Sequence, residues 1–496
     1  MSPTINSTNS DLEAKMGSPT GKVVAEELYE IDPAAEARLV RKLDFRLLPL
    51  LALAYMLCYF DRSNAGNARV AGLTTDLGFW EYDFNIGTCL YYITFILAEV
   101  PAAMLVRKFG FIWIPVSVVC FGVLTLGTAF IHNRGSFFAM RSLLGIAESL
   151  VFPGNAYLLT RYYRREELTT RLTFFIFTAG YLSSAFGGLL SSGFLTIGEI
   201  GPLKAWRHIF AWEGVITIGV GIIMCFIYPT DPTKTHMFTE EERRMAMARM
   251  SAGQVDKSEE AQQKALPWSE ARKTVLNPLV LLSSFFYICN NVTVQGLGTF
   301  TPTILRLNYP ASSAVRIQLL SVPPFVVAWV VAMSAAYFAM KRSQHGLASM
   351  FGALLTVIGY SIWIATDSTY IKTRYAAIFI NASGGFYGPL ILAWALSNAS
   401  TDSARALTGA TVSGLGGIGS IVASWSYIPT DAKTGYRIGN SLNLSLGCVV
   451  FVGVALLRTY QARENRLRAE GKRDHRLECS EEEQEQLGSK HPKFRF

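Results

Sequence analysis

Long apolar stretches alternate with short polar connections along this chain. They fall at about 45–64, 84–106, 111–131, 137–160, 171–194 and 207–228, then at 277–300, 318–340, 346–366, 374–398, 404–428 and 440–460. Each is close to the roughly 20 residues that one helix needs to cross hydrocarbon. A segment in lipid must satisfy its own backbone, so runs of this kind predict helices. The expected fold is all-α and integral to the membrane, with twelve transmembrane helices. A long polar gap at 229–276 divides them into six and six. The predicted organisation is a disordered cytosolic N-terminal tail (1–44), a first six-helix half (45–228), a central cytosolic loop (229–276), a second six-helix half (277–460) and a cytosolic C-terminal tail (461–496). Inside the loop, Thr239 and Glu242 have the spacing of a capping box and predict a surface helix.

Composition agrees with this reading. Half of the 496 residues are apolar and 17% are charged, against about 25% charged in soluble domains. The net charge of +8 does not mark a nucleic-acid binder, because the basic residues recur between alternate stretches instead of forming one patch. Arg107-Lys108, Arg161 to Arg171, Lys341-Arg342 and Arg405 fall on one side with both termini. The positive-inside rule makes that side the cytosol. A multi-pass protein of the plasma membrane is expected, with an internal membrane as the alternative. The cysteines show neither metal spacing nor a disulfide framework. No nucleotide-binding motif and no catalytic constellation is present. No cofactor, metal or enzymatic activity is expected, and an ion gradient is the remaining source of drive.

Charges inside spans carry the functional signal, because each is costly there without a task. Asp61-Arg62-Ser63-Asn64 closes the first stretch. Arg62 is a candidate for attracting an anion. Asp61 is a candidate either for holding Arg62 or for taking a proton. Arg141 and Glu148 lie seven residues apart on the fourth stretch, so two helical turns put them on one face. Arg141 suits a carboxylate, and Glu148 suits a proton; a structural ion pair is the plainer alternative. Glu213 is a further proton candidate, and so is Glu99. The seventh span offers Asn290, Asn291 and Gln295, whose amides can donate and accept or simply join helices. In the tenth, Gly384-Gly385-Phe386-Tyr387-Gly388-Pro389 predicts a bend that opens backbone groups. Tyr387 and Trp394 share a face there and could stack on a flat substrate; packing within the bundle is the plainer alternative.

Several runs resemble the anion:cation symporter family of the major facilitator superfamily, in the fungal branch that includes allantoate, nicotinate and pantothenate permeases. They are Leu43-Asp44-Phe45-Arg46-Leu47-Leu48-Pro49, the segment DRSNAGNARVAGL that starts at Asp61, Arg141 to Glu148, Phe152 to Leu159, and Trp206 to Gly214. The resemblance extends from about residue 40 to 460. It implies the major facilitator fold, a proton as coupling ion, a small organic anion as substrate and function as a monomer. The substrate site would comprise Arg62, Asn64, Arg141, Asn290, Asn291, Gln295, Tyr387 and Trp394, with Asp61, Glu148 and Glu213 handling the proton. Uptake is the expected direction. Export of a metabolite by proton antiport is the alternative, and a non-transporting nutrient sensor a more distant one. The loop after the second span departs from the superfamily pattern, with Arg107 where an Asp is usual and Phe111-Ile112 in place of a basic pair.

Overall fold

The computed structural model describes residues 32–199, 204–252, 268–367, 369–399 and 402–473. The helix α1 (Pro33–Val70) is capped by Asp32, whose carboxylate accepts from the amides of Ala34 and Ala35, with Pro33 at the first helical position. Both are strong start signals. The predicted tail boundary at residue 44 is therefore corrected: residues 33–44 are the first turns of α1. Leu39, Leu43, Leu47 and Leu51 recur every fourth residue and are buried, which continues one apolar stripe across the supposed boundary. Residues 1–31 lie outside the described part.

A short turn of helix, α2 (Leu73–Asp76), leads to α3 (Asp83–Phe109), α4 (Trp113–Thr128), α5 (Arg134–Glu148), α6 (Val151–Tyr162), α7 (Arg165–Leu195) and α8 (Ala205–Ile227). The loop contributes α9 (Glu240–Ala252) and α10 (Trp268–Val275). The second half runs through α11 (Pro278–Asn308), α12 (Ala314–Lys341), α13 (His345–Ala365), α14 (Ile371–Gly384), α15 (Tyr387–Ser397), α16 (Asp402–Ser424) and α17 (Arg437–Ala469). Among the described residues, eleven spanning segments are long and apolar enough to cross a bilayer, counting α5–α6 and α14–α15 as one each, and the shorter α4 is the twelfth. The C-terminal boundary also moves. Beyond residue 460, α17 continues to Ala469, where Glu464 pairs with Arg468 and Arg473.

Two spans are broken, and proline explains both. Pro153 has no N–H for the Ser149 carbonyl and Pro389 none for that of Gly385, so the helical ladder loses a bond at each place. α5 gives way to α6 at Ser149-Leu150, and α14 to α15 at Gly385-Phe386.

Within the first half, α4 packs on α8, α3 on α5 and α1 on α7; in the second, α11 packs on α16 and α13 on α17. The halves meet along α7–α12, α1–α11 and α3–α16. An even number of crossings puts the two described ends on one side, called here the terminal face, with the distal face opposite. Contact between halves is closest toward the distal face. A Cβ added to Gly66 would lie 1.9 Å from the Thr299 carbonyl oxygen, so only glycine permits this approach of α1 to α11. The Asn85 amide donates to the Ser424 carbonyl at 2.6 Å, and Arg69 lies over the rings of Phe84 and Phe300.

At the terminal face an ionic collar holds α9 to the first half. Lys42 pairs with Glu242, Arg171 with Asp44, Arg161 with Asp231, and Glu36 with both Arg164 and Arg249. The Thr239 amide donates to the Glu242 carboxylate at 2.9 Å and the Glu242 amide to the Thr239 hydroxyl at 3.3 Å, the reciprocal cap expected from the sequence. The Arg107 side chain lies outside the described residues.

Candidate functional site

Asp61 and Arg62 are consecutive on α1, so their side chains leave the helix about 100° apart. They consequently meet different partners. Asp61 accepts from Arg141 at 3.1 Å and from the Thr125 hydroxyl at 3.1 Å. Arg62 pairs with Glu148 at 3.4 Å and donates to the Tyr91 hydroxyl at 2.7 Å. Tyr91 in turn donates to Glu148 at 2.5 Å. The expected alternative in which Asp61 holds Arg62 is thus replaced by crossed pairs between α1 and α5. Arg141 and Glu148 cannot pair with each other, since seven residues of helix separate them by roughly 10 Å along the axis. All four side chains are buried.

Glu213 on α8 joins this group from the other side. Its carboxylate accepts from the Asn64 amide at 2.6 Å, and its second oxygen has no partner. The Asn64 carbonyl is held by Asn67 at 2.8 Å and by Ser191 at 2.7 Å. Asn64 therefore links α1, α7 and α8 and has little capacity left for a solute. Glu99 is only half-buried on α3.

Next to this group lies a cavity of about 70 Å³ between the halves, several times the space one water needs. Tyr59, Phe177, Tyr181, Tyr287 and Phe325 supply rings to its wall, and Asn290, Asn291 and Gln295 supply amides. Asn290 donates to the Gly385 carbonyl at 2.8 Å, which is the group that Pro389 leaves without its helical partner. Asn291 donates to the Gly416 carbonyl at 2.8 Å. Gln295 accepts from the Tyr92 hydroxyl at 3.1 Å across the two halves. So two adjacent tyrosines of α3 have different partners: Tyr91 reaches the charged group, and Tyr92 reaches Gln295 in the cavity wall.

The predicted residues thus fall in three places. Asp61, Arg62, Asn64, Arg141, Glu148 and Glu213 form the charged group. Asn290, Asn291 and Gln295 line the cavity. Tyr387 and Trp394 are elsewhere, packed among Phe286, Cys289 and Ile391 in the core of the second half. Their shared face is real but turned inward, and close packing takes the place of stacking on a substrate. Tyr59, Tyr91, Tyr92, Thr125, Phe177, Tyr181, Tyr287 and Phe325 were not singled out from the sequence. A tyrosine pair in the middle of an apolar span was the available signal for two of them.

Two helical halves around a central cavity, with buried charges beside it, define a polytopic membrane transporter. The family model described as Major Facilitator Superfamily matches residues 51–424, and the chain belongs to that superfamily. Two fungal relatives are similar over most of their length. "MFS transporter prlL" of Fungal sp. (strain NRRL 50135) is 31% identical over 469 residues, covering 92% of each chain. "MFS-type transporter cnsO" of Penicillium expansum is 31% identical over 489 residues, covering 93% of this chain and 91% of that one. Among solved structures, the D-xylose-proton symporter aligns with a TM-score of 0.62 at 14% identity, over 82% of this chain and 97% of that one. A bacterial homologue of the lysosomal transporter Spinster aligns with a TM-score of 0.61 at 14% identity, over 83% and 95%. These two share the fold. The chain is a secondary transporter of the superfamily with a multi-pass membrane architecture.

Proposed function

We propose that this transporter moves a small organic solute by alternating access and couples the movement to a proton held in the buried charged group. One observation carries the reading. Asp61, Glu148 and Glu213 are three carboxyls facing two arginines, and the two ion pairs leave Glu213 without a cation. A single proton makes the group neutral. Isolated buried charge is costly, so rearrangement of the halves is cheapest with that proton aboard. Glu213 is its best seat, and Asp61 and Glu148 become available only when an arginine lets go.

The finer reading from the sequence is symport of an organic anion into the cell across the plasma membrane, as in the anion:cation symporter branch, with the chain acting as a monomer and both termini cytosolic. The quoted motifs and the basic residues of the terminal face support it. It requires Arg62 or Arg141 to leave its carboxylate for the substrate. Export by proton antiport is the second reading. The cavity wall bears on the cargo of either reading, because it offers an anion no cation.

The test is flux in vesicles containing the purified protein. An imposed pH gradient should drive accumulation of a cargo solute or expel it, and the sign separates uptake from export. Flux indifferent to the gradient would remove the coupling.

A further inference from the structure

The cavity and the charges are separate, and that separation bears on what is carried. Seventeen residues line the cavity, and none is Asp, Glu, Lys, Arg or His. Arg62 stands behind the wall, against the ring of Tyr59. Its guanidinium lies 4.9 Å from the Tyr59 ring centre, 5.6 Å from that of Tyr91 and 4.8 Å from that of Phe95. Arg62 is therefore enclosed by rings as well as paired with Glu148; its Nη2 is buried without a hydrogen-bond partner, but on the far side of the Tyr59 ring from the cavity. Arg141 is tied to Asp61 and is also absent from the lining.

The wall itself is rich in rings. Tyr59 comes from α1, Phe177 and Tyr181 from α7, Tyr287 from α11 and Phe325 from α12, so both halves contribute. Ring faces attract flat conjugated molecules by stacking and edge contacts. One fully buried polar atom of this wall is left over. The Tyr181 hydroxyl is buried without a partner, and a Cβ at Gly385, across the cavity lining, would sit 3.3 Å from it. Buried hydroxyls are normally bonded, so this one is free for a solute. The Asn290 and Asn291 amide nitrogens are already used on carbonyls, which leaves their oxygens on the acceptor side.

We infer that the cavity takes an uncharged aromatic solute with a hydrogen-bonding carbonyl, amide or hydroxyl, and does not take an organic anion. This rests on the coupled-transport reading above, names the class of cargo for the same site, and replaces the organic anion of the finer reading. A carboxylate would enter a pocket with no counter-charge and keep the cost of leaving water. A neutral ring would lose little and could accept from Tyr181.

The experiment measures binding to the purified full-length protein by intrinsic fluorescence and thermal shift, using matched pairs. The probes are benzamide and benzoate, indole-3-acetamide and indole-3-acetate, and 2-naphthamide and 2-naphthoate, at a pH where the acids are ionised. The amides should bind at least about tenfold more tightly than the acids, since the acids carry an uncompensated charge into the site. Cyclohexanecarboxamide should bind about threefold or more weakly than benzamide, for want of ring contacts. Tyr181→Phe should weaken the amides with no change in the melting temperature of the empty protein. Ser184→Arg places a cation on the wall and should shift the preference toward the acids, a reversal that mere damage to packing does not produce. Acids binding as tightly as amides in the parent protein would overturn the inference, and so would failure of every probe to bind. Neither result depends on a pH gradient, so the coupling reading stands or falls separately in the vesicle assay.

Discussion

The Glu213 carboxylate accepts from the Asn64 amide at 2.6 Å, and among the described residues no ion pair reaches it. Asp61, Arg141 and Glu148 on α1 and α5 are the charged groups that face it, with Asn64 from α1 and, through Asn64, Ser191 from α7. Glu213→Gln keeps the shape and the hydrogen-bonding capacity of the protonated acid. The variant should fold with a melting temperature no lower than the parent, while flux driven by a pH gradient falls about tenfold or more, the size expected when about 1.4 kcal/mol of coupling is lost. Exchange without a gradient should persist. Gradient-driven flux at the parental rate would place the proton elsewhere.

Asp61 and Arg141 form a buried pair at 3.1 Å. Removing one partner of such a pair strands a charge and costs about 3–5 kcal/mol, whereas replacing both is far milder. Asp61→Asn and Arg141→Gln should each lower thermal stability markedly, and the double variant should be more stable than either single one. A thermal melt of the detergent-solubilised proteins checks the order. Strict additivity would show that the pair is not coupled.

Gly66 holds α1 against the backbone of α11 at Thr299. Gly66→Ala places a methyl group 1.9 Å from the Thr299 carbonyl oxygen, and overpacking of this kind forces backbone shifts. The distal side should then open. With Gly298→Cys as a reporter in the cavity lining, an impermeant thiol reagent added from the distal face should label the alanine variant faster than its glycine parent, and transport should fall. Equal labelling would mean that the seal does not depend on this contact.

Much of this architecture is legible in the sequence, because a span announces itself over about 20 residues and needs no knowledge of its neighbours. The bend at Gly384-Gly385 and the cap at Thr239 are equally local. The pairing of charges is not. A helix period fixes which residues share a face, but not where that face points. Tyr387 and Trp394 do share one, and it looks into the core. Asp61 and Arg62 stand side by side in the chain, yet their partners depend on the rotation of α1 against α5. The start of α1 is illegible for a different reason. Charged residues such as Glu36, Lys42 and Asp44 hide the leucine stripe from a hydropathy average, although they are what fasten the helix to its surroundings.

The ionic collar on the terminal face should loosen in acid. Burial alone would raise the Glu242 pKa, but hydrogen bonds from Lys42 and Thr239 outweigh this and hold it below the usual range. For Asp231 burial is likewise outweighed, by the Thr233 amide and by Arg161. A carboxyl lowered in the folded state binds fewer protons there than when unfolded. Its stabilisation is complete above the ordinary carboxyl pKa of about 4 and is lost as pH falls through the lowered folded value. Hydrogen exchange of residues 240–252, corrected for its intrinsic pH dependence, should therefore speed up in that acid range. Lys42→Ala should speed it up already at neutral pH.

Tyr91 and Tyr92 are joined by a single peptide, yet one touches Glu148 and the other touches Gln295 in the opposite half. A twist of α3 moves both contacts together. Filling of the cavity and charge on the carboxyls are in this way geared to one helix, over the distance of one residue.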